Sequence, residues 1–260
     1  ARGLRLVGGR VTGVVTEAGT IAAPQVILAG GAWSSLFLRR HNVSIPQLSV
    51  RASVAATGPL PQSVAVAGAD PDFAFRPRAD GGYTLAAESY SELFVGADAV
   101  RNAPRYLRSA FRAGRKIRFR PAAPRGYPDA WTTPRRWADG DESPFERMRI
   151  LDPTPAAGKL SEVRRRFGQV FPSMAPVPQA RAWAGMIDVM PDLLPIVDRA
   201  EALPGLIVAT GMSGHGFGIG PAYGRILADM VTGGDPGHDL TPFRLSRFRD
   251  GSRVRPAPPF

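Results

Sequence analysis

The segment Leu206–Val231 restricts the fold more than any other part of the chain. Leu206–Thr210 (LIVAT) is apolar and β-branched, as a buried strand is. It runs directly into Gly211-Met212-Ser213-Gly214-His215-Gly216-Phe217-Gly218-Ile219-Gly220. Pro221–Val231 then reads as a helix, with proline in its first turn and Gly233-Gly234 past its end. Glycines let a backbone turn sharply and approach a ligand closely. The N-terminus of the following helix adds unpaired N–H groups with partial positive charge. Such a loop suits an anionic or electron-rich ligand edge. The dinucleotide fingerprint GxGxxG is not completed, because Ile219, Pro221 and Tyr223 stand where its last glycine would fall, and the loop holds no lysine. On the residues alone, close strand–helix packing is the other explanation of these glycines.

The rest of the chain supplies a sheet-rich frame. Arg10–Glu17 is rich in β-branched residues, Ala18-Gly19 supplies a turn, Thr20–Ala23 resumes, and Gln25–Ala29 is a buried run ending at Gly30-Gly31. Ala32–Arg40 reads as one helix. Composition shifts at Ile45-Pro46. Gln47–Ala55 and Phe73–Arg78 then alternate as strands of an antiparallel sheet, with Asp80-Gly81-Gly82 as a hairpin turn. Ala103–Lys116 changes to a helical period: Leu107, Ala110, Phe111 and Gly114 fall on one face, and Arg101, Arg105, Arg108, Arg112 and Arg115 on another. Pro121–Pro155 reads mostly as loop anchored by Trp131 and Trp137, Lys159–Phe171 as a helix stopped by Pro172, and Ala182–Val189 as a strand. From Asp235 the chain is a partly ordered tail rich in Pro and Arg.

Composition removes several chemistries. The 260 residues include no Cys, which excludes a disulfide framework, a thiolate metal site and a cysteine nucleophile. The histidines, His41, His215 and His238, are too scattered to suggest a metal cluster, and no metal is expected. No apolar run approaches the roughly 20 residues that cross a bilayer, and no signal-peptide pattern is present, so a cytoplasmic location is the expectation. The formal charge of +11 invites a nucleic-acid partner. It is a local feature, however. Between Arg101 and Arg136 eleven basic residues face the single acid Asp129, which accounts for +10. No nucleic acid is therefore expected, and an arginine-rich anion- or nucleic-acid-binding protein is the alternative that this segment leaves open.

Three segments in order, VILAGGAWS (Val26–Ser34), WAGMIDVMPDLLPIVD (Trp183–Asp198) and GLIVATGMSGHGFGIGPAYGRILADMVTG (Gly205–Gly233), resemble the FAD-dependent D-amino acid oxidase superfamily. The likeness is greatest to its glycine oxidase, sarcosine oxidase and D-amino acid dehydrogenase branch. It implies an α/β fold of α+β character, in which a Rossmann-like FAD-binding domain is split around an antiparallel substrate sheet. Residues 1–44 would form the first part of the FAD domain, 45–181 the substrate domain, 182–233 the C-terminal part of the FAD domain, and 234–260 the tail. The implied cofactor is FAD. The implied substrate is an amino acid or N-alkyl amine, of the D-amino acid, glycine or sarcosine type, that gives up a hydride from the carbon bearing nitrogen, forming an imine that hydrolyses. The strand–GxGxxG–helix unit that opens the family has no counterpart before Arg10. The expectation is a fragment, or a site completed by a partner subunit or a missing N-terminal segment; an inactive flavoenzyme fragment is the further alternative. Sarcosine oxidases link flavin through a cysteine near position Gly185, so a non-cysteinyl FAD is expected here.

Carried over residue by residue, the resemblance implies a two-part cofactor site. Gly30, Gly31 and Ala32, with neighbouring Trp33, match the strand end that passes the FAD pyrophosphate and ribose. Gly211 with Ser213, Gly214, His215, Gly216, Phe217 and Gly218 matches the loop around the flavin ring, and Pro221 would begin the helix aimed at its pyrimidine edge. Oriented amides there stabilise the charge that a flavin develops. Gly218 stands where some members carry a lysine for a substrate carboxylate. Met212 is expected beside the flavin face, and Trp183 and Met186 at the substrate. A substrate carboxylate calls for a guanidinium. Arg51, Arg76 and Arg78 lie on the expected sheet, and alternation puts Arg76 and Arg78 on one face, where a solvated strand surface is the competing explanation. His215 is expected to contact flavin rather than to serve as a base. No catalytic side chain is assigned, and Asp188, Asp192 and Asp198 are given no role.

Overall fold

The computed structural model describes residues 1–61, 64–88, 90–113, 117–252 and 254. The chain opens with an antiparallel meander of β1 (Gly3–Val7), β2 (Arg10–Thr16) and β3 (Gly19–Ala22). Gly8 and Gly9, both at positive φ, make the tight turn that joins β1 to β2. The strand β4 (Val26–Leu28) leads through a 3-10 turn at Gly31–Trp33 into α1 (Ser34–Arg40). The expected buried run at Gln25–Ala29 is thus a shorter strand, and Ile27 is 41% exposed. The reason is its place at the edge of a sheet, where a continuous apolar run does not guarantee burial.

A larger sheet follows. It is built from β5 (Leu48–Thr57), β6 (Gly68–Ala69), β7 (Phe73–Pro77), β8 (Tyr83–Ala87) and β9 (Ser91–Phe94); helix α2 (Ala97–Ala113) then precedes β10 (Ile117–Arg120). Their order is β10-β9-β5-β8-β7-β6. The helix α2 begins at Ala97 rather than Ala103 because Asp129 caps it, accepting from Asp98 N at 2.8 Å and Ala99 N at 3.1 Å. That partner is 31 residues away and invisible to local periodicity. The last part of the expected arginine face, residues 114–116, lies outside the described residues. Three of the eleven basic residues meet acids in the described structure: Arg101 and Arg135 meet Asp98, Arg135 also meets Asp129 at 2.9 Å, and Arg120 meets the buried Glu92 at 2.5 Å.

Helices α3 (Pro144–Arg147) and α4 (Ala157–Val170) come next. The first is fixed by a capping box between Ser143 and Glu146. The second presents Leu160, Val163 and Phe167 at helical spacing, and Val163 and Phe167 pack against Phe73, Tyr83 and Leu85 of the sheet. Burying a ring such as Phe167 is worth about 2–3 kcal/mol.

The strand β11 (Gln179–Val189) returns along the free edge of β5, antiparallel, from Gln179 opposite Thr57 to Val189 opposite Leu48. It crosses the expected boundary between residues 181 and 182, so one ladder joins the two parts of the chain. Then β12 (Ile196–Arg199) and β13 (Leu206–Thr210) form a sheet of order β12-β13-β4, and α5 (Gly216–Thr232) ends at Gly233 in the left-handed conformation. The buried cluster beneath this sheet includes Leu38, Ile45, Met190, Ile196, Leu206 and Val208.

The described part of the tail, residues 235–252 and 254, carries local structure. Short 3-10 turns occupy Thr241–Phe243 and Leu245–Phe248, Phe243 packs edge-on against Tyr223, and Arg247 is buried in an ion pair with Asp192 at 2.9 Å. Periodicity could not reveal this, because single anchors rather than a repeating face hold the segment. Among the described residues no helix is long and apolar enough to cross a membrane.

Candidate functional site

Strands β4 and β13 run parallel, with Leu206 beside Val26, Ile207 beside Ile27 and Val208 beside Leu28. Parallel neighbours end on the same side of a sheet, where open α/β sheets bind ligands. The turn at Gly30-Gly31 and the loop that starts at Gly211 therefore emerge side by side. Gly31 and Thr210, 179 residues apart in sequence, are within hydrogen-bond reach: Thr210 Oγ1 donates to Gly31 O at 3.3 Å.

Backbone geometry shapes both turns. Gly31 sits at φ +51° with open space where a side chain would stand. Ser213 adopts φ +51°, a conformation that costs a non-glycine residue about 1 kcal/mol or more. Local bonds hold it there. Ser213 N donates to Asp188 O at 3.0 Å, Ser213 Oγ donates to Gly211 O at 3.0 Å, and Met190 N donates to Ser213 Oγ at 3.2 Å.

The helix after this loop starts at Gly216, not at Pro221. Gly216, Gly218 and Gly220 all keep helical backbone, and no side chain caps the helix at His215. Pro221 therefore lies inside α5, where its missing N–H releases the carbonyl of Phe217 from the usual helical bond. The first turn of α5, with its oriented N–H groups, belongs to the glycine loop itself.

A buried polar network links the two turns from beneath. Gln47 is 2% exposed; its Oε1 accepts from Ser35 N at 2.9 Å, and its Nε2 donates to Thr210 Oγ1 at 2.8 Å, Asp188 Oδ2 at 3.1 Å and Gly31 O at 3.2 Å. The half-buried Asp188 also accepts from Gly211 N at 2.7 Å. Tyr106 of α2 closes the network, with its hydroxyl 2.6 Å from Pro46 O and 2.7 Å from Val189 O. Burial, reinforced by the charges of Asp192 and Asp188, holds that phenol well above its ordinary pKa, so it is a neutral donor.

Of the residues expected at the site, Gly30, Gly31, Ala32, Gly211, Ser213, Gly214, His215, Gly216, Phe217 and Gly218 all belong to these two turns. Phe217 is fully exposed, and His215 and Gly218 are exposed. Trp33 packs its ring edge-on against Phe145 at 5.2 Å. Met212 is half-buried beside Gly216. Trp183 and Met186 are half-buried on β11, with Trp183 opposite Val54 and Met186 opposite Arg51.

The three arginines are not brought to the turns. Arg51 is held by Glu92 and by Thr154 O at 2.7 Å. Arg78 lies beyond the end of β7 and pairs with Asp80 of the hairpin turn, so it does not share a strand face with Arg76. Arg76 is exposed on β7, which β8 separates from β5. Gln47, Asp188 and Thr210 carry no sequence signal of their own, because each has at least one partner more than a hundred residues away.

Two parallel strands that deliver adjacent glycine turns, followed by a helix N-terminus and joined to an antiparallel sheet, make an α/β ligand-binding surface, and the protein is an FAD-dependent oxidoreductase. The chain belongs to the DAO family of FAD-dependent oxidoreductases, whose profile matches residues 1–230. It is 49% identical over 61 residues to N-methyl-L-tryptophan oxidase of Salmonella newport, a match covering 24% of this chain and 16% of that protein. Its fold is similar to L-amino acid deaminase of Proteus vulgaris, with a TM-score of 0.87 and 28% identity over 95% of this chain and 57% of the other. It is also similar to L-amino acid deaminase of Proteus myxofaciens, solved in complex with anthranilate, with a TM-score of 0.88 and 31% identity over 96% of this chain and 55% of the other. The chain therefore spans little more than half the length of these solved relatives.

The residues present fit the flavin cofactor that the family uses. Ser34 is fully buried at the start of α1, its Oγ has no hydrogen-bond partner in the described structure, and it lies beside Gly30. A buried hydroxyl left unpaired is costly, and a polar cofactor passing Gly30-Gly31 would satisfy it. The open space at Gly31 and the exposed first turn of α5, which carries Gly216 and Gly218 on either side of the exposed Phe217, complete this surface.

Proposed function

We propose that this protein oxidises the carbon–nitrogen bond of an amino acid or N-alkyl amine, with a non-cysteinyl FAD held between Gly30–Trp33 and Gly211–Gly218. The parallel pairing of β4 with β13, which sets the two glycine turns side by side, is the observation that carries this reading. FAD, when bound, supplies the acceptor for the hydride that leaves the substrate carbon. The N–H groups at the very start of α5 would face the flavin edge and favour negative charge there, while Gly211 N and Ser213 N are spent on Asp188. Met212 and Trp183 border the place where the reacting carbon is positioned, and that positioning supplies much of the rate. The substrate loses a hydride from carbon and a proton from nitrogen; water adds to the resulting imine and releases the amine.

The names of the relatives, an oxidase of an N-methyl amino acid and two L-amino acid deaminases, support an α-amino acid or its N-methyl derivative as substrate. The test is spectroscopic. Purified protein incubated with FAD is passed through a desalting column, its absorption is recorded, and amino acids and N-methyl amino acids are added without oxygen. Retained flavin bands that bleach with one of these substrates are expected. A colourless protein that no FAD treatment reconstitutes would overturn the reading.

A further inference from the structure

We infer that Gln47 and Asp188 are positioning residues that lock the two flavin-contact turns together, fixing the gap between Gly31 and Gly211 before the cofactor enters. The inference rests on the FAD reading above and goes beyond it, since neither side chain belongs to a glycine turn.

Gln47 has the one side chain that satisfies all of its neighbours. Ser35 N requires an acceptor, while Gly31 O and the Asp188 carboxylate require donors, and a primary amide presents both at one tip. A glutamate would offer acceptors alone and would set a second carboxylate against Asp188. A leucine or methionine would leave Ser35 N without its acceptor and would take one donor from Gly31 O, which keeps Ser34 N and Thr210 Oγ1. With Gln47 at 2% exposure, water does not replace these bonds.

Asp188 acts on the other turn at two points. Its Oδ2 takes Gly211 N at 2.7 Å and its backbone O takes Ser213 N at 3.0 Å, so the first residues of the loop are zipped onto the end of β11. The register that places Val189 opposite Leu48 is what brings Asp188 to Gln47. Tyr106 pins the same junction from α2, through the carbonyl before Gln47 and the carbonyl after Asp188. The Gly30-Gly31 turn has no side chain of its own to hold it, and in the second turn only Ser213 does so, through Gly211 O and Met190 N; the network adds support from below. A carboxylate placed behind Gly211 N also puts negative charge at the back of the loop that surrounds the flavin.

The experiment measures FAD dissociation constants by fluorescence titration, and midpoint potentials of the bound flavin, for the wild-type protein and for Gln47→Met, Thr210→Val and Asp188→Asn. Far-ultraviolet circular dichroism selects folded variants, and Thr210→Val, which removes a single arm, is included so that a folded variant decides the question. Gln47→Met is expected to bind FAD about tenfold or more weakly, the loss of about one buried hydrogen bond's worth of fit. Asp188→Asn is expected to raise the midpoint potential, because removing a nearby negative charge stabilises the electron-rich form of the cofactor. If wild-type protein binds FAD while the folded variants match its affinity and potential, the positioning role is wrong and the FAD reading stands. If wild-type protein binds no FAD, the FAD reading fails and takes this inference with it.

Discussion

Met190 occupies the space that a side chain on Gly211 would need. A Cβ at Gly211 would overlap Met190 Cγ and fall 2.8 Å from its Sδ, and the Gly211 backbone is at φ +78°. Met190 is fully buried and has little room to withdraw. Gly211→Ala therefore adds about 1–2 kcal/mol of left-handed backbone strain and about 1–3 kcal/mol of overpacking. Denaturant titration should show a loss of about 2–5 kcal/mol, and an unchanged midpoint would contradict the loop geometry.

Gly216 separates stability from cofactor binding. Its backbone is helical, and a Cβ there would lie 3.2 Å from Met212 Cβ and 3.4 Å from Met212 Cγ. Valine at this position costs the fold about 1 kcal/mol or less, because the small shift of the half-buried Met212 is offset by a helix propensity better than glycine's. It also places two methyl groups in the glycine loop, where the flavin ring is proposed to pass. Gly216→Val is expected to fold normally yet retain at least about tenfold less FAD after desalting. Equal flavin content in the two proteins would remove the loop from the cofactor site.

How much of this was legible in sequence depends on how local the cause is. Leu206–Thr210 is found in the structure with the bounds that its apolar run suggests, and Gly233 ends α5 because only a left-handed residue suits that position. The start of α5 at Gly216 is not legible, because Pro221 is a strong marker of a first turn, whereas three glycines with helical backbone carry no marker at all. The start of α2 at Ala97 depends on Asp129, and the side-by-side turns depend on a parallel pairing between strands at opposite ends of the chain. The same holds for Gln47. Its identity is ordinary, and only the register of β5 with β11 makes it the junction of four groups. Pairings of the arginines were equally hidden, which is why Arg78 reads as a site residue in sequence and as a turn residue in the fold.

The pair Arg247–Asp192 ties the tail to the loop after β11. Arg247 Nε and Nη2 donate to the two oxygens of Asp192 at 2.9 and 3.2 Å, and Nη2 also donates to Leu194 O at 2.8 Å. Both side chains are buried, at 5% and 6% exposure. Arg247→Met leaves the carboxylate without its countercharge, Asp192→Leu strands the guanidinium, and each is expected to cost about 3–5 kcal/mol. Replacing both, as Arg247→Met with Asp192→Leu, should cost less than either single change, because no buried charge is then stranded. Urea midpoints of the four proteins in this cycle decide it; an additive result would mean that the pair is not coupled.

His41 gives the fold a pH dependence of defined sign. Its Nε2 accepts from Leu4 N at 3.1 Å, joining the end of α1 to β1, and its ring lies 5.4 Å from that of Phe37. Burial, aided by the positive charge of Arg40 and opposed by Asp139, lowers its pKa from 6.5 to about 4. Between those values the unfolded chain binds a proton that the folded chain refuses, so stability is full above about pH 6.5 and falls as the pH drops toward 4. After allowance for the partly exposed ring, the loss is about 1–2 kcal/mol. Glu146 acts in a lower window: hydrogen bonds from Arg2 and Ser143 hold its carboxyl at about 2, so its contribution is lost only as the pH falls below about 4.5. Urea denaturation between pH 5 and 7 therefore isolates the histidine. His41→Gln keeps an acceptor for Leu4 N without a titrating ring, and it should flatten the pH profile across that range. A slope that persists in His41→Gln would assign the dependence to other groups.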